Sequence, residues 1–90
     1  MTRQIDKDTA YIARSTFRSP SGKYHLRLFL DGYGNWTPNI SEAVWYGSQR
    51  AVTFAVQKAT IRAAMDECQR QFGDSVTVRS DLMTYSAVRP

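Results

Sequence analysis

Residues 9–30 read TAYIARSTFRSPSGKYHLRLFL, and the way this stretch folds back on itself decides the architecture. Thr9 to Arg18 alternate with period two. Tyr11, Ala13, Ser15 and Phe17 share one face, and Ile12, Arg14, Thr16 and Arg18 share the other. Ser19-Pro20-Ser21-Gly22 is a turn signal. Proline presets φ near the value an early turn position needs, and glycine accepts positive φ. Lys23 to Leu30 alternate again, with Tyr24, Leu26, Leu28 and Leu30 as the apolar set. A hairpin closed around residues 19–22 predicts Phe17 opposite Tyr24, Ser15 opposite Leu26, Ala13 opposite Leu28 and Tyr11 opposite Leu30, all on a core face. The other face then sets Arg18 against Lys23, Thr16 against His25, Arg14 against Arg27 and Ile12 against Phe29.

That second face carries the functional signal. Between Asp8 and Asp31 the chain has Arg14, Arg18, Lys23, His25 and Arg27 and no acidic residue. Like charges directly opposed on a sheet cost a few tenths of a kcal/mol or more. A counter-charge from outside the fold would remove that cost. Arg14, Arg18, Lys23, His25 and Arg27, flanked by Ile12 and Phe29, are therefore the candidate partner-binding set. Guanidinium groups beside apolar and aromatic side chains suit phosphate backbones with stacked bases, and equally acidic protein patches. The competing reading is a solvated face whose charges blunt aggregation. A solvated face usually mixes signs, and this one does not. A second cluster, Tyr33, Trp36, Trp45 and Tyr46, surrounds the glycines of Asp31-Gly32-Tyr33-Gly34-Asn35. Tyr33 and Trp36 are candidate anchors for a partner pocket, since Trp and Tyr are favoured at interfaces; core plugs are the alternative.

Working outward, residues 1–8 read as a polar lead-in and residues 42–46 as a third strand. Residues 36–39 continue the glycine loop or start a short strand, and Pro38 argues against a central position for it. Gly47-Ser48 ends the third strand, with Ser48 placed to cap a helix. Residues 49–72 contain no Gly or Pro and stop at Gly73, which predicts one helix about 36 Å long. Its apolar residues form a bulky stripe (Phe54, Ile61, Met65, Cys68, Phe72) and a small-residue stripe (Val52, Ala55, Val56, Ala59, Ala63). The bulky stripe is the expected core face. The small one needs another cover: the N-terminal segment, the C-terminal tail, or a second copy in a homodimer. Residues 75–79 read as a short strand, and 82–90 as an edge strand or a pinned tail. The expected fold is α+β, an antiparallel sheet of three to five strands packed on one long helix, in the order β-β-β-α-β.

The chain has 90 residues, the size of a single domain spanning 1–90. Its net charge is +4, and arginine dominates its basic residues. Arginine favours planar bidentate contact with carboxylate or phosphate. No apolar run approaches the roughly 20 residues of a membrane span, and the polar N-terminus is not a secretory signal. A single cysteine, Cys68, forms no internal disulfide, which points to a reduced, cytoplasmic setting. One histidine cannot provide a metal-binding pair, and no cofactor motif is present. Cys68 lies mid-helix on an apolar stripe and His25 has no carboxylate near it in sequence. No metal, cofactor or catalytic residue is expected, so the reading is a binding protein and not an enzyme.

A very short basic chain ordered strand, strand, strand, long helix, strand resembles the small proteins with which phages block host defences. In particular it resembles anti-CRISPR proteins built as a curved antiparallel sheet on one helix. The likeness rests on Tyr11 to Phe17, Tyr24 to Leu30, the Trp45-Tyr46-Gly47-Ser48 entry into the helix, and Ser75 to Arg79. Those proteins share no common motif, so the resemblance transfers no functional residue. It implies an inhibitor in the bacterial host cell that docks on a CRISPR effector complex. Many anti-CRISPR proteins are acidic mimics of DNA, and this chain departs from them in charge. The partner it implies is a protein complex with an acidic or nucleic-acid-bearing surface, with direct RNA or DNA contact as the alternative.

Overall fold

The predicted hairpin forms, two residues out of the predicted register. Strands β1 (Ile12–Arg18) and β2 (His25–Leu30) pair antiparallel, with Arg14 opposite Phe29, Thr16 opposite Arg27, Phe17 opposite Leu26 and Arg18 opposite His25. The loop keeps four residues but moves one position along the chain, from 19–22 to 20–23. Ser19 and Tyr24 close it: the Ser19 N–H donates to the Tyr24 carbonyl at 2.9 Å, and the Tyr24 N–H donates to Ser19 Oγ at 3.0 Å. Inside, the Gly22 N–H donates to the Ser19 carbonyl at 2.9 Å, and Gly22 takes φ 75°. That left-handed glycine swings Lys23 into the loop, so Lys23 faces no residue of β1. A shift of two residues leaves every side chain on its predicted face.

The computed structural model describes residues 7–90. The polar lead-in lies almost wholly outside the described residues, which begin with a 3-10 turn at Lys7–Thr9. The third strand is not 42–46. Strand β3 is Trp36–Thr37, paired to β2. Pro38 ends it, and Asn39 caps a 3-10 turn at Ile40–Glu42. Residues 42–46 then make only two isolated bridges, Ala43 to Asp31 and Tyr46 to Tyr11. The expected strand at 75–79 has no ladder either. Gln69 takes the place of a strand partner: its Nε2 donates to the Gly73 and Val76 carbonyls at 2.7 and 2.8 Å, and its Oε1 accepts from the Val78 N–H at 3.0 Å. The final strand is β4, Met83–Val88, antiparallel to β1. Among the described residues the sheet is four-stranded and antiparallel, in the order β3-β2-β1-β4.

The expected single helix is two: α1 (Gln49–Ala59) and α2 (Ile61–Phe72). Ser48 caps α1, its Oγ accepting from the Ala51 N–H at 3.1 Å. Thr60 separates them at φ 70°. Its own N–H closes α1 on the Val56 carbonyl at 3.1 Å, and its Oγ1 caps α2 by accepting from the Ala63 N–H at 3.3 Å. Strands of six or seven residues span only about 20–23 Å, so a straight helix of ~36 Å would overrun them. The break lets α1 pack on β1 and β4 while α2 packs on β2 and β3.

The break also rephases the apolar stripes. Val52, Ala64 and Cys68 are buried in the core, while Phe54 is 70% and Ile61 47% exposed. The small-residue stripe Val52, Ala55, Val56, Ala59 and Ala63, offered above as a dimer face, packs against the core instead. The side of α1 turned outward is the one bearing Phe54. The core itself comprises Ala13, Phe17, Leu28, Leu30, Trp36 and Met83 from the sheet, with Val52, Ala64 and Cys68 from the helices. The Phe72 ring closes one end against Phe17 and Tyr24, at centroid distances of 5.4 and 5.7 Å. Trp36 of β3 and Tyr85 of β4 meet edge-on at 6.2 Å beneath the sheet. Their strands are its two edges, three spacings or roughly 14 Å apart. The sheet therefore curls around the helices.

A β-branched residue at positive φ stores on the order of 1–3 kcal/mol of strain. Thr60→Gly releases that strain and loses a few tenths of a kcal/mol of capping. It should raise the melting midpoint. Thr60→Ala keeps the strain and loses the cap, so it should lower the midpoint by roughly 4–8 °C. Thermal denaturation of the two variants checks the opposite signs.

Candidate functional site

The face of the sheet turned away from the helices gathers the predicted cations. Arg14, Thr16 and Arg18 come from β1, His25 and Arg27 from β2, and Thr84 from β4; with Leu82 they line a shallow dip of about 380 Å³. Strand alternation alone puts them there. The observed register spaces them better than the predicted one. Arg14 faces Phe29 and Arg27 faces Thr16, so neutral groups separate the two guanidinium groups across the strands. Only Arg18 and His25 sit directly opposite each other. The like-charge cost of folding is correspondingly smaller than the sequence reading implied.

None of these cations is neutralised by a carboxylate of the described residues. The ion pairs there are Glu67 with Arg70 at 2.7 Å and Asp81 with Arg79 at 3.2 Å. Hydrogen bonding from Arg70 lowers the Glu67 carboxyl from its ordinary value. Both pairs lie outside the dip. Arg14 Nε is enclosed and has no acceptor. Lys23 stands in the hairpin loop, with its ammonium 5.6 Å from the centre of the Tyr24 ring.

The aromatic part of the expected site does not assemble. Phe29 is on the basic face but only 7% exposed, and Trp36 is a core residue at 4%. Neither is accessible for stacking or for filling a partner's pocket. Tyr33 is 91% exposed, yet it stands at a different cleft of about 570 Å³, formed with Leu30, Asp31, Val44, Tyr46 and Lys58. Asp31 shapes that loop, its Oδ1 accepting from the Tyr33 and Asn35 N–H groups at 2.8 and 2.9 Å. Burial, and then the charge of Asp31, raises the Tyr46 hydroxyl above its ordinary value. Sequence reasoning missed Thr84 and Leu82 at the dip, because only the pairing of β4 with β1 brings them beside the arginines.

Among the described residues no cluster of His, Cys, Asp and Glu could hold a metal ion, and no helix is long and apolar enough to cross a membrane. Cys68 is buried in the core, where burial and then Glu67 push its thiol up to about 11. No family model, curated protein or solved structure matches this chain.

Proposed function

We propose that this is a non-enzymatic binding protein that docks through the basic sheet face on an acidic protein surface of a larger assembly. A phage inhibitor of the anti-CRISPR type, acting on a CRISPR effector complex, is the specific form of that reading. What supports it is the set of fixed charges Arg14, Arg18 and Arg27, with His25 beside them, gathered on one face and unpaired with any carboxylate of the described residues. The burial of Phe29 and Trp36 weighs against base stacking, the usual mode of single-strand recognition. A second reading, attachment to nucleic-acid phosphates, draws on the Thr16 and Thr84 hydroxyls beside the arginines. Arginine and threonine both contact phosphate oxygens.

The double variant Arg14→Glu/Arg27→Glu tests the face. Capture of a defined complex from bacterial lysate should fall at least about tenfold, following the reversal of four units of charge. The melting midpoint should stay level or rise, because Arg14 and Arg27 face neutral residues across the strands and a carboxylate at position 27 lies diagonally across from Arg18. Unchanged capture removes the docking face. Bare DNA or RNA should give no shift; binding to any sequence, with log affinity falling linearly in log salt, selects the phosphate reading instead.

A further inference from the structure

Among the described residues, the outer edge of β4 is a second unpartnered feature of the sheet. The hydrogen bond from the Ser19 N–H to the Tyr24 carbonyl fixes which backbone groups of β1 turn toward β2: those of Ala13, Ser15 and Phe17. Ile12, Arg14 and Thr16 therefore turn theirs toward β4, where they meet Val88, Ser86 and Thr84. The backbone groups of Met83, Tyr85 and Ala87 point the opposite way, to an edge with which no strand of the described residues pairs. An uncharged, regular, open edge is a template for another strand.

This edge is complementary to itself. In an antiparallel pair, outward-pointing residues oppose outward-pointing residues. The fullest such pairing of two β4 strands places Tyr85 on a two-fold axis, with Met83 opposite Ala87 on either side. Thr84 then faces Ser86, and the 3-10 turn Ser80–Leu82, which carries Asp81 ahead of β4, comes to the end of the partner strand that leads into Arg89. Leu82 to Val88 hold no charge, so no like charges are opposed, and the first charges beyond the strand have opposite signs. Arg89 is fixed in place: its guanidinium lies 4.4 Å over the Tyr11 ring and donates to the Asp8 and Ala10 carbonyls. Asp81 pairs with the exposed Arg79, at 3.2 Å. Beside the edge runs a groove of about 170 Å³ between α1 and β4, lined by Val52, Thr53, Val56 and Gln57 with Tyr85 and Ala87. The opposite sheet edge, β3, is two residues long and ends at Pro38, so it cannot receive β4 in a head-to-tail chain.

We infer that two copies of this chain pair through β4, antiparallel about Tyr85, to form one continuous sheet. The inference goes beyond the docking reading and does not depend on it. It places the two basic faces on the same side of the joined sheet, on either side of the axis.

Cysteine cross-linking tests the register. Thr84 and Ser86 would oppose each other as a non-hydrogen-bonded pair, with Cα atoms about 4.5 Å apart, within disulfide reach. Thr84→Cys and Ser86→Cys should each remain uncross-linked alone and form a disulfide-linked dimer when mixed and oxidised. Light scattering at tens of micromolar should give a dimer mass for the unmodified protein. Ala87→Pro, which removes one outward donor and none facing β1, should give a monomer with its circular-dichroism spectrum retained. A monomer at every concentration, cross-linking of Ser86→Cys with itself, or growth beyond a dimer would each overturn the proposal.

Discussion

Phe17→Ala is expected to lower the melting midpoint by roughly 15–30 °C, and Phe54→Ala by less than about 4 °C. The two residues separate the observed core from the one the helix pattern suggests. Phe17 is fully buried on the inner strand β1, near the hairpin end of the core, and touches the Phe72 ring. Deleting a buried phenyl group costs about 3–5 kcal/mol, through lost transfer energy and an unfilled cavity. A domain of this size has only about 5–13 kcal/mol in total. Phe54 belongs to the bulky stripe that hydrophobicity alone would bury, but it is solvent-exposed. Its removal takes away little packing. Thermal melts followed by circular dichroism decide the point; equal losses would mean that α1 presents its other side to the sheet.

Cys68 should react with a thiol reagent at pH 8 at least ~100-fold more slowly in the folded protein than in the denatured chain. Two effects combine. The side chain is fully buried, and its thiol is pushed up to about 11 by burial first and by Glu67 second. Relative to an ordinary thiol, two pH units or so leave ~100-fold less thiolate to attack. The same shift gives a pH dependence. The folded state keeps the proton up to about 11, while the unfolded chain releases it near its ordinary value, about 8.5. The contribution of the neutral thiol is therefore complete below ~8.5 and is lost as pH rises toward 11. Burial raises Tyr46 and Tyr85 as well, which adds a loss of the same sign at still higher pH. The wild-type midpoint should fall more steeply between pH 8.5 and 10.5 than that of Cys68→Ala. Parallel slopes, or labelling as fast as in urea, would mean that the thiol is open to solvent.

The fold class and both faces of the hairpin were legible in the sequence, because a strand's face depends only on parity. The register was not. It depends on whether Ser19 and Tyr24 or Arg18 and Lys23 close the loop, and that choice rests on one hydrogen bond to the Ser19 hydroxyl and on φ at Gly22. The helix break was hidden for a related reason. Thr60 carries no breaking signal, and the bend arises from the shortness of the sheet, a tertiary constraint. Val76 and Val78 have strand-like composition, yet a helix side chain, Gln69, satisfies their backbone and no neighbouring strand was needed. At the candidate site, the cations were readable as a group, whereas the burial of Phe29 and Trp36 was not. Alternation places a residue on a face without saying what lies over it.

The contact between Trp36 and Tyr85 beneath the sheet has a consequence for the shape of any partner. Drawing the two outer strands together under the hydrophobic side bends the opposite side, where Arg14, Arg18 and Arg27 border a shallow, open depression. So open a depression does not enclose a small molecule. If the basic face is the docking face, its partner should be broad, with a low acidic rise that enters between the guanidinium groups.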